Sequence, residues 1–270
     1  KRIMAYTTIN KSSVHFNTKL YTGNGSSPRS ITGVGFQPDL NWTKSRSASG
    51  SHVLANAVSG ANKQLVSNNT NAEATNGTYG YLSAFDSDGW SMTTGSNDFS
   101  RMNTNSTTYA SWNWKANGAG SANTDGSINS TVSVNTTAGF SVVKYTGTGS
   151  TATVGHGLGV TPKMIIFKNT SSAVDWRVYH EALGNTHRLC LNDTSASTDD
   201  DSAFNDTSPT STVFTVGGSS STNAGTMIAY CFAPKTGYSK FGSYTGNGNA
   251  DGTFVYTGFK PAFVMLKRTN

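Results

Sequence analysis

The chain has 270 residues, 20 Lys and Arg against 14 Asp and Glu, a net charge of +6 and an isoelectric point near 9.3, but the basic residues are scattered with no run, which argues against a nucleic-acid surface. No stretch of about 18 apolar residues reads as a membrane span, and Lys1-Arg-Ile-Met-Ala-Tyr6 lacks the apolar stretch of a signal peptide. Hydrophobic residues at 35% exclude global disorder, while 13% charged residues, 29 Gly and abundant Ser, Thr and Asn fit short strands joined by many turns.

Residues 1–18 read as an N-terminal arm. A block then begins that recurs three times: Tyr21, Thr22, Gly23 and Gly25 return as Tyr145, Thr146, Gly147 and Gly149, and again as Tyr244, Thr245, Gly246 and Gly248. Gly33, Gly35, Pro38 and Lys44 return as Gly157, Gly159, Pro162 and Lys168, all displaced by 124, and Pro261 and Lys267 continue the third copy. A displacement held this long marks duplicated units. The predicted boundaries are 19–117 for a first β-sandwich unit, 118–138 for a Gly, Ser, Asn and Thr-rich connector, 139–236 for a second unit, and 237–270 for an incomplete third. The chain is expected to be part of a longer polypeptide.

Within the first unit, Asp39–Lys44 is a predicted strand with Leu40 and Trp42 on a core face and Asn41 and Thr43 facing water. His52–Gly60 reads as a strand running into one helical turn capped by glycine. Tyr109–Lys115 closes the unit, with Trp112 and Trp114 alternating on an aromatic face. In the connector, Ile128, Val132 and Val134 lie at even spacing and suggest an extra strand. The second unit repeats these elements as Lys163–Lys168, Val174–Gly184 and Met227–Ala233, the last at a displacement of 118, so the first unit carries six more residues between Met92 and Tyr109. Strands Lys163–Lys168 and Ala262–Lys267 are apolar on both faces. Burial of Ile165 and Phe167 is therefore expected only where a neighbour, either the third unit or another subunit, covers them. The short Pro234–Gly237 junction should fix units two and three more firmly than the connector fixes one and two.

Residues able to carry chemistry are few. His156 in a Gly-His-Gly turn, Asp199-Asp-Asp201 as hard calcium-type oxygens, and Asp86 with Asp88 as a carboxylate pair are each replaced in the sister unit or spaced unfavourably, and structural roles are the expectation. No nucleophile elbow, zinc helix or phosphate loop occurs. No catalytic, metal or cofactor site is predicted. Cys190 and Cys231 align with Val66 and Asn113, so they read as buried free thiols. For ligand binding the candidates are Trp176, Tyr179 and His180 as an aromatic platform for a sugar ring, although a core role is favoured for Trp176 and more strongly for Trp90.

Met4-Ala-Tyr-Thr-Thr-Ile9, Thr18-Lys-Leu-Tyr-Thr-Gly-Asn-Gly25, Ile31-Thr-Gly-Val-Gly-Phe-Gln-Pro38, Val154-Gly-His-Gly-Leu158, Pro162-Lys-Met-Ile-Ile-Phe-Lys168, Tyr179-His180 and Leu183-Gly184 together resemble a repeat of structural and tail-appendage proteins of tailed bacteriophages, especially marine ones. The resemblance covers nearly the whole chain. It implies an all-β fold of tandem β-sandwich repeats, jelly-roll or concanavalin/SPRY-like, in a non-enzymatic virion protein. A tail fibre or spike serving host-surface attachment comes first, and a capsid decoration protein or a secreted lectin or adhesin module is the alternative. The implied partners are other virion proteins, further copies of the chain (a trimer by family analogy) and a host-surface glycan, with neither nucleic acid nor membrane insertion.

Overall fold

The computed structural model describes residues 6–270, so the first five residues of the expected arm lie outside the described residues. After a 3-10 turn at Ser12–Val14 the first half carries nine strands: β1 (Phe16–Thr22), β2 (Arg29–Thr32), β3 (Leu40–Ser45), β4 (Val53–Asn56), β5 (Lys63–Val66), β6 (Ala74–Thr75), β7 (Tyr81–Asp86), β8 (Gly89–Thr93) and β9 (Thr108–Trp114). The second half carries β10 (Ser121–Asn123), β11 (Ser130–Asn135), β12 (Phe140–Thr148), β13 (Ala152–Gly155), β14 (Met164–Asn169), β15 (Arg177–His180), β16 (His187–Cys190), β17 (Thr198–Asp199), β18 (Val213–Val216) and β19 (Ala224–Phe232), with one helical turn, α1, at Asp201–Phe204. The protein is all-β, its sheets are antiparallel, and none is closed.

The large sheet of the first half has the order β1-β9-β3-β4-β5-β6, and that of the second half contains β12-β19-β14-β15-β16-β17, with β11 and β10 added beyond β12. Strands β14 to β17 begin and end 124 residues after β3 to β6. The pairings agree as well: Leu40 faces Trp114 and Asn56, and Met164 faces Phe232 and His180. Smaller sheets, β2-β8-β7 and β13-β18, complete each half.

The Tyr-Thr-Gly block acquires a physical reason in this arrangement. The Tyr21 hydroxyl donates to the Met102 carbonyl at 2.8 Å and that of Tyr145 to the Thr222 carbonyl at 2.5 Å, so each buried ring ties down the loop leading into the closing strand. Glycine two residues later lets that loop approach, because a Cβ at Gly23 would lie 2.0 Å from the Thr104 oxygen and one at Gly147 would lie 2.3 Å from the Asn223 carbonyl carbon. At Gly246 nothing lies within 4 Å, and Tyr244 is half exposed.

Four sheets stack in four layers separated by three apolar layers. Alternation along each strand sends every second side chain to the opposite layer. The first layer joins Tyr21, Val53 and Tyr109 of the large sheet to Ile31, Leu82, Trp90 and Met92 of the small one. The third joins Tyr145, Ile165, Phe167 and Ala229 to Val154, Phe214 and Val216. Between them lies a middle layer in which Leu40, Trp42, Leu54, Leu65 and Trp114 meet Val142, Ile166, Trp176, Val178, Ile228 and Tyr230, so the two large sheets pack face to face.

Several expectations are corrected. Ile165 and Phe167 are buried against their own small sheet, without help from residues after 237 or from a second chain. It is the other face of β14, carrying Met164 and Ile166, that a neighbour covers, and the neighbour is the first half. Asn41 and Thr43 are not wet. They are fully buried, with Asn41 Nδ2 donating to Asn113 Oδ1 at 2.8 Å and the Thr43 hydroxyl donating to Asn41 Oδ1 at 2.9 Å, which supplies the partners that buried polar groups require. The arm ends earlier than expected because β1 starts at Phe16, and the connector is no free linker because β10 and β11 extend the second large sheet.

The entry to the connector is pinned by Asp39, whose buried carboxylate accepts from the Ala116 and Gly118 backbone N–H groups at 2.5 and 3.1 Å. Ala262–Lys267 has the alternation of a strand but forms no ladder, since no strand lies beside it among the described residues. Phe263 and Met265 nevertheless pack on the middle layer, Phe263 at 5.4 Å from Trp114 and 5.7 Å from Trp112, while Val264 and Leu266 stay exposed.

Trp114 joins both halves in this layer, with Phe16, Phe140, Phe232 and Phe263 around it. Trp114→Ala is expected to cost about 3–5 kcal/mol, read as a lowered midpoint in chemical denaturation. A near-native midpoint would place this side chain outside any core.

Candidate functional site

Strand β15 and the residue before it carry the three residues expected to form a sugar platform, and the strand's alternation separates them. Trp176 lies in the middle layer at 0% exposure, where its indole N–H donates to the carbonyls of Val66 and Asn69 at 3.2 and 3.1 Å. Tyr179 points the other way, into the third layer, edge-on to Phe204 at 5.6 Å. His180 ends the strand, and its Nδ1 accepts from the Ala182 N–H to cap the 3-10 turn Glu181–Leu183, which Gly184 terminates at φ 81° as the sequence predicts. The three side chains share no surface. Trp176 is a tie between the halves, and the binding reading of this trio is withdrawn.

That tie belongs to a polar seam along the rim of the middle layer. Lys168 is fully buried and its Nζ donates to the Thr70 carbonyl of the first half at 2.8 Å and to the Val174 carbonyl at 2.6 Å. The Glu73 N–H donates to the Thr170 carbonyl at 2.9 Å, and Asn56 Nδ2 to the Tyr230 hydroxyl at 3.2 Å. The segment from Val66 to Glu73 is thus held by the second half. Burial of the ammonium, opposed by the Asp175 carboxylate, lowers the Lys168 pKa from 10.5 to about 8.

The other chemical candidates are occupied by structure. His156 is buried, its Nδ1 accepting from the Leu158 N–H and its Nε2 lying 3.2 Å from the Thr210 carbonyl, and burial lowers its pKa. Asp88 receives the Gly33 and Gly35 N–H groups at 2.9 and 2.6 Å, which lowers its pKa, while Asp86 receives the Ser91 hydroxyl. Of the three consecutive aspartates, Asp200 pairs with Arg188 at 2.9 Å, Asp201 opens α1 and Asp199 sits exposed in β17, so they do not converge. Cys190 and Cys231 are buried free thiols. The ligand atoms of Asp175, Cys190 and Asp193 come within 4.8 Å of one another, but Arg177 and Arg188 both donate to the Cys190 sulfur and Arg177 pairs with Asp175. Two guanidinium charges stand where a cation would have to bind. An ion-pair network accounts for this cluster.

An open cleft of about 370 Å³ lies at one end of the first half, lined by Gly25, Thr94, Asp98, Phe99, Ser100 and Thr104. Its walls come from the segment between β8 and β9, where the first half holds six more residues than the second. Asp98 anchors that segment by accepting the Ser100 N–H at 2.8 Å, and Arg101 stacks over Tyr79 at 5.0 Å. Most of the exposed lining of the cleft is apolar, with a few hydroxyls and the Asp98 carboxylate as its hydrogen-bonding groups. Sequence reasoning located the extra residues through the change in displacement from 124 to 118, but did not connect them with a cleft.

A family described as a domain of unknown function, DUF7483, matches residues 11–270. No curated protein and no solved structure matches the chain.

The buried lysine sets a pH dependence. Its folded pKa of about 8 lies below the ordinary 10.5, so between these values the unfolded chain binds more protons and stability rises with pH through that window. Burial raises the pKa values of Cys190 and Cys231 and of Tyr21, Tyr145 and Tyr230, and these groups oppose the trend, the thiols from about pH 9 and the phenols above about pH 10, where the unfolded groups ionise first. Urea denaturation is expected to show stability that rises from pH 8 to 10 relative to that of Lys168→Met. An equal rise in the variant would assign it to other groups.

Proposed function

The chain belongs to the DUF7483 family, and we propose that it is a non-enzymatic virion structural protein, a component of a phage tail appendage built from tandem jelly-roll or concanavalin-like β-sandwich units. The observation that carries this reading is the middle layer. Two pairs of sheets, whose large members share a six-strand order, are fused through an apolar interface and a hydrogen-bonded seam, an arrangement suited to a stiff segment built from one polypeptide. Low charge, many turns and the repeated sequence blocks support a role as a spacer, and Phe263 and Met265 pack against the same apolar layer. Oligomerisation gains nothing from Ile165 and Phe167, which the chain covers itself.

A second reading, attachment to a host-surface glycan, is favoured by the cleft at the end of the first half, where a largely apolar wall carries a few hydrogen-bonding groups. Here a carboxylate and several hydroxyls line an opening of about 370 Å³, the size range of small-ligand sites.

An antibody against residues 19–236, applied to particles of the phage that encodes the chain, is expected to label a tail appendage in negative-stain micrographs. Unlabelled particles with every appendage present would refute the virion assignment. A glycan array is expected to give binding that is lost on Asp98→Ala, and silence across host glycans would remove the attachment reading alone.

A further inference from the structure

The two halves differ at one edge of their large sheets. In the second half the outer edge of β12 is covered by β11 over six residues, from Ser130 opposite Tyr145 to Asn135 opposite Phe140. In the first half the equivalent strand, β1, is the last in its sheet, and no strand pairs with its outer edge among the described residues.

Which backbone groups that edge presents follows from the alternation of an antiparallel ladder. The Lys115 N–H donates to the His15 carbonyl at 2.9 Å and the Gly23 N–H to the Thr107 carbonyl at 2.7 Å, so odd-numbered residues of β1 turn their backbone toward β9. Phe16, Thr18, Leu20 and Thr22 therefore turn theirs outward. The Thr22 carbonyl is taken by Arg29 at 2.8 Å, which closes one end of the edge and leaves three residues with free N–H and C=O groups. Leu20 stands at the centre with 57% of its surface exposed, whereas its counterpart in the covered strand is Lys144. A long unpaired edge with an exposed apolar side chain is a template for another strand.

We propose that the outer edge of β1 docks an extended segment of another polypeptide by β-augmentation, in the register that β11 adopts on β12. The covering strand on the page, Ser130-Thr-Val-Ser-Val-Asn135, sets its chemistry: an uncharged strand with valine alternating with small hydroxyl residues. A strand without basic residues also suits an edge flanked by Lys19 and Arg29. The proposal rests on the equivalence of the two halves and is independent of the virion assignment.

The test adds a synthetic peptide with the sequence of residues 128–136 to the isotopically labelled full chain and follows amide hydrogen exchange. Slowed exchange at Phe16, Thr18 and Leu20 is expected, with loss of the effect in Leu20→Pro and unchanged thermal melting, because proline removes only an outward N–H. Should Leu20→Pro fail to fold, a peptide N-methylated at its Thr131 and Ser133 positions, two of the three that face β12 in the covered edge, is expected to leave exchange unchanged. Unaltered exchange of β1 at saturating peptide would overturn the proposal. So would protection that appears with chain concentration alone, which would make a second copy the occupant, or equal protection by a scrambled peptide.

Discussion

Everything else in this molecule depends on the contact between the two large sheets. Each half has a small sheet on one face only, and an exposed second face carrying Trp42 and Trp114, or Ile166 and Tyr230, would put a large apolar area in water. Facing those surfaces toward each other removes both from solvent at once. Hydrogen bonds at the rim then fix the register: the Trp176 indole and the Lys168 ammonium both reach carbonyls of the Val66–Thr70 segment, so sliding the halves would strand two buried donors.

The same fold position is filled in two chemically different ways. Asn41, Thr43, Ser111 and Asn113 occupy in the first half the places that Ile165, Phe167, Ala229 and Cys231 occupy in the second. One set satisfies its polar groups internally, with Asn113 Nδ2 also donating to the Ser111 hydroxyl at 3.1 Å, and the other packs as hydrocarbon around Phe214. A fully partnered polar network and a well-packed apolar one are both acceptable interiors, whereas a half-satisfied network is not. Strand order is therefore shared while core chemistry is not, and the segment that holds the six extra residues before β9 lines a cleft at the end of the first half.

Much of the strand layout was legible in the sequence. The fixed displacement placed Asp39–Lys44 and Lys163–Lys168 within a residue of β3 and β14, and evenly spaced Ile128, Val132 and Val134 anticipated β11, with Ile128 bridging to Val154. Glycine after one turn was also readable, in Gly60 and Gly184. What each face touches was not readable. An apolar pair on both sides of β14 announces two apolar neighbours without naming them, and Asn41 looks like a surface residue until Asn113, 72 positions away, is seen to be its partner. For Trp176 the sequence favours a core side chain over a sugar platform, and the Val66 and Asn69 carbonyls show what that buried ring does. Ala262–Lys267 carries strand alternation, but a strand needs a neighbour, and local pattern does not supply one.

The central claim is that the middle layer makes one cooperative body of the two halves. Scanning calorimetry tests it directly. A single transition with equal calorimetric and van't Hoff enthalpies is the predicted result, and Trp176→Ala, which removes the peg from the seam, should split it into two. Two separate transitions in the unaltered chain would contradict the account, because the sheets would then be independent units that happen to touch.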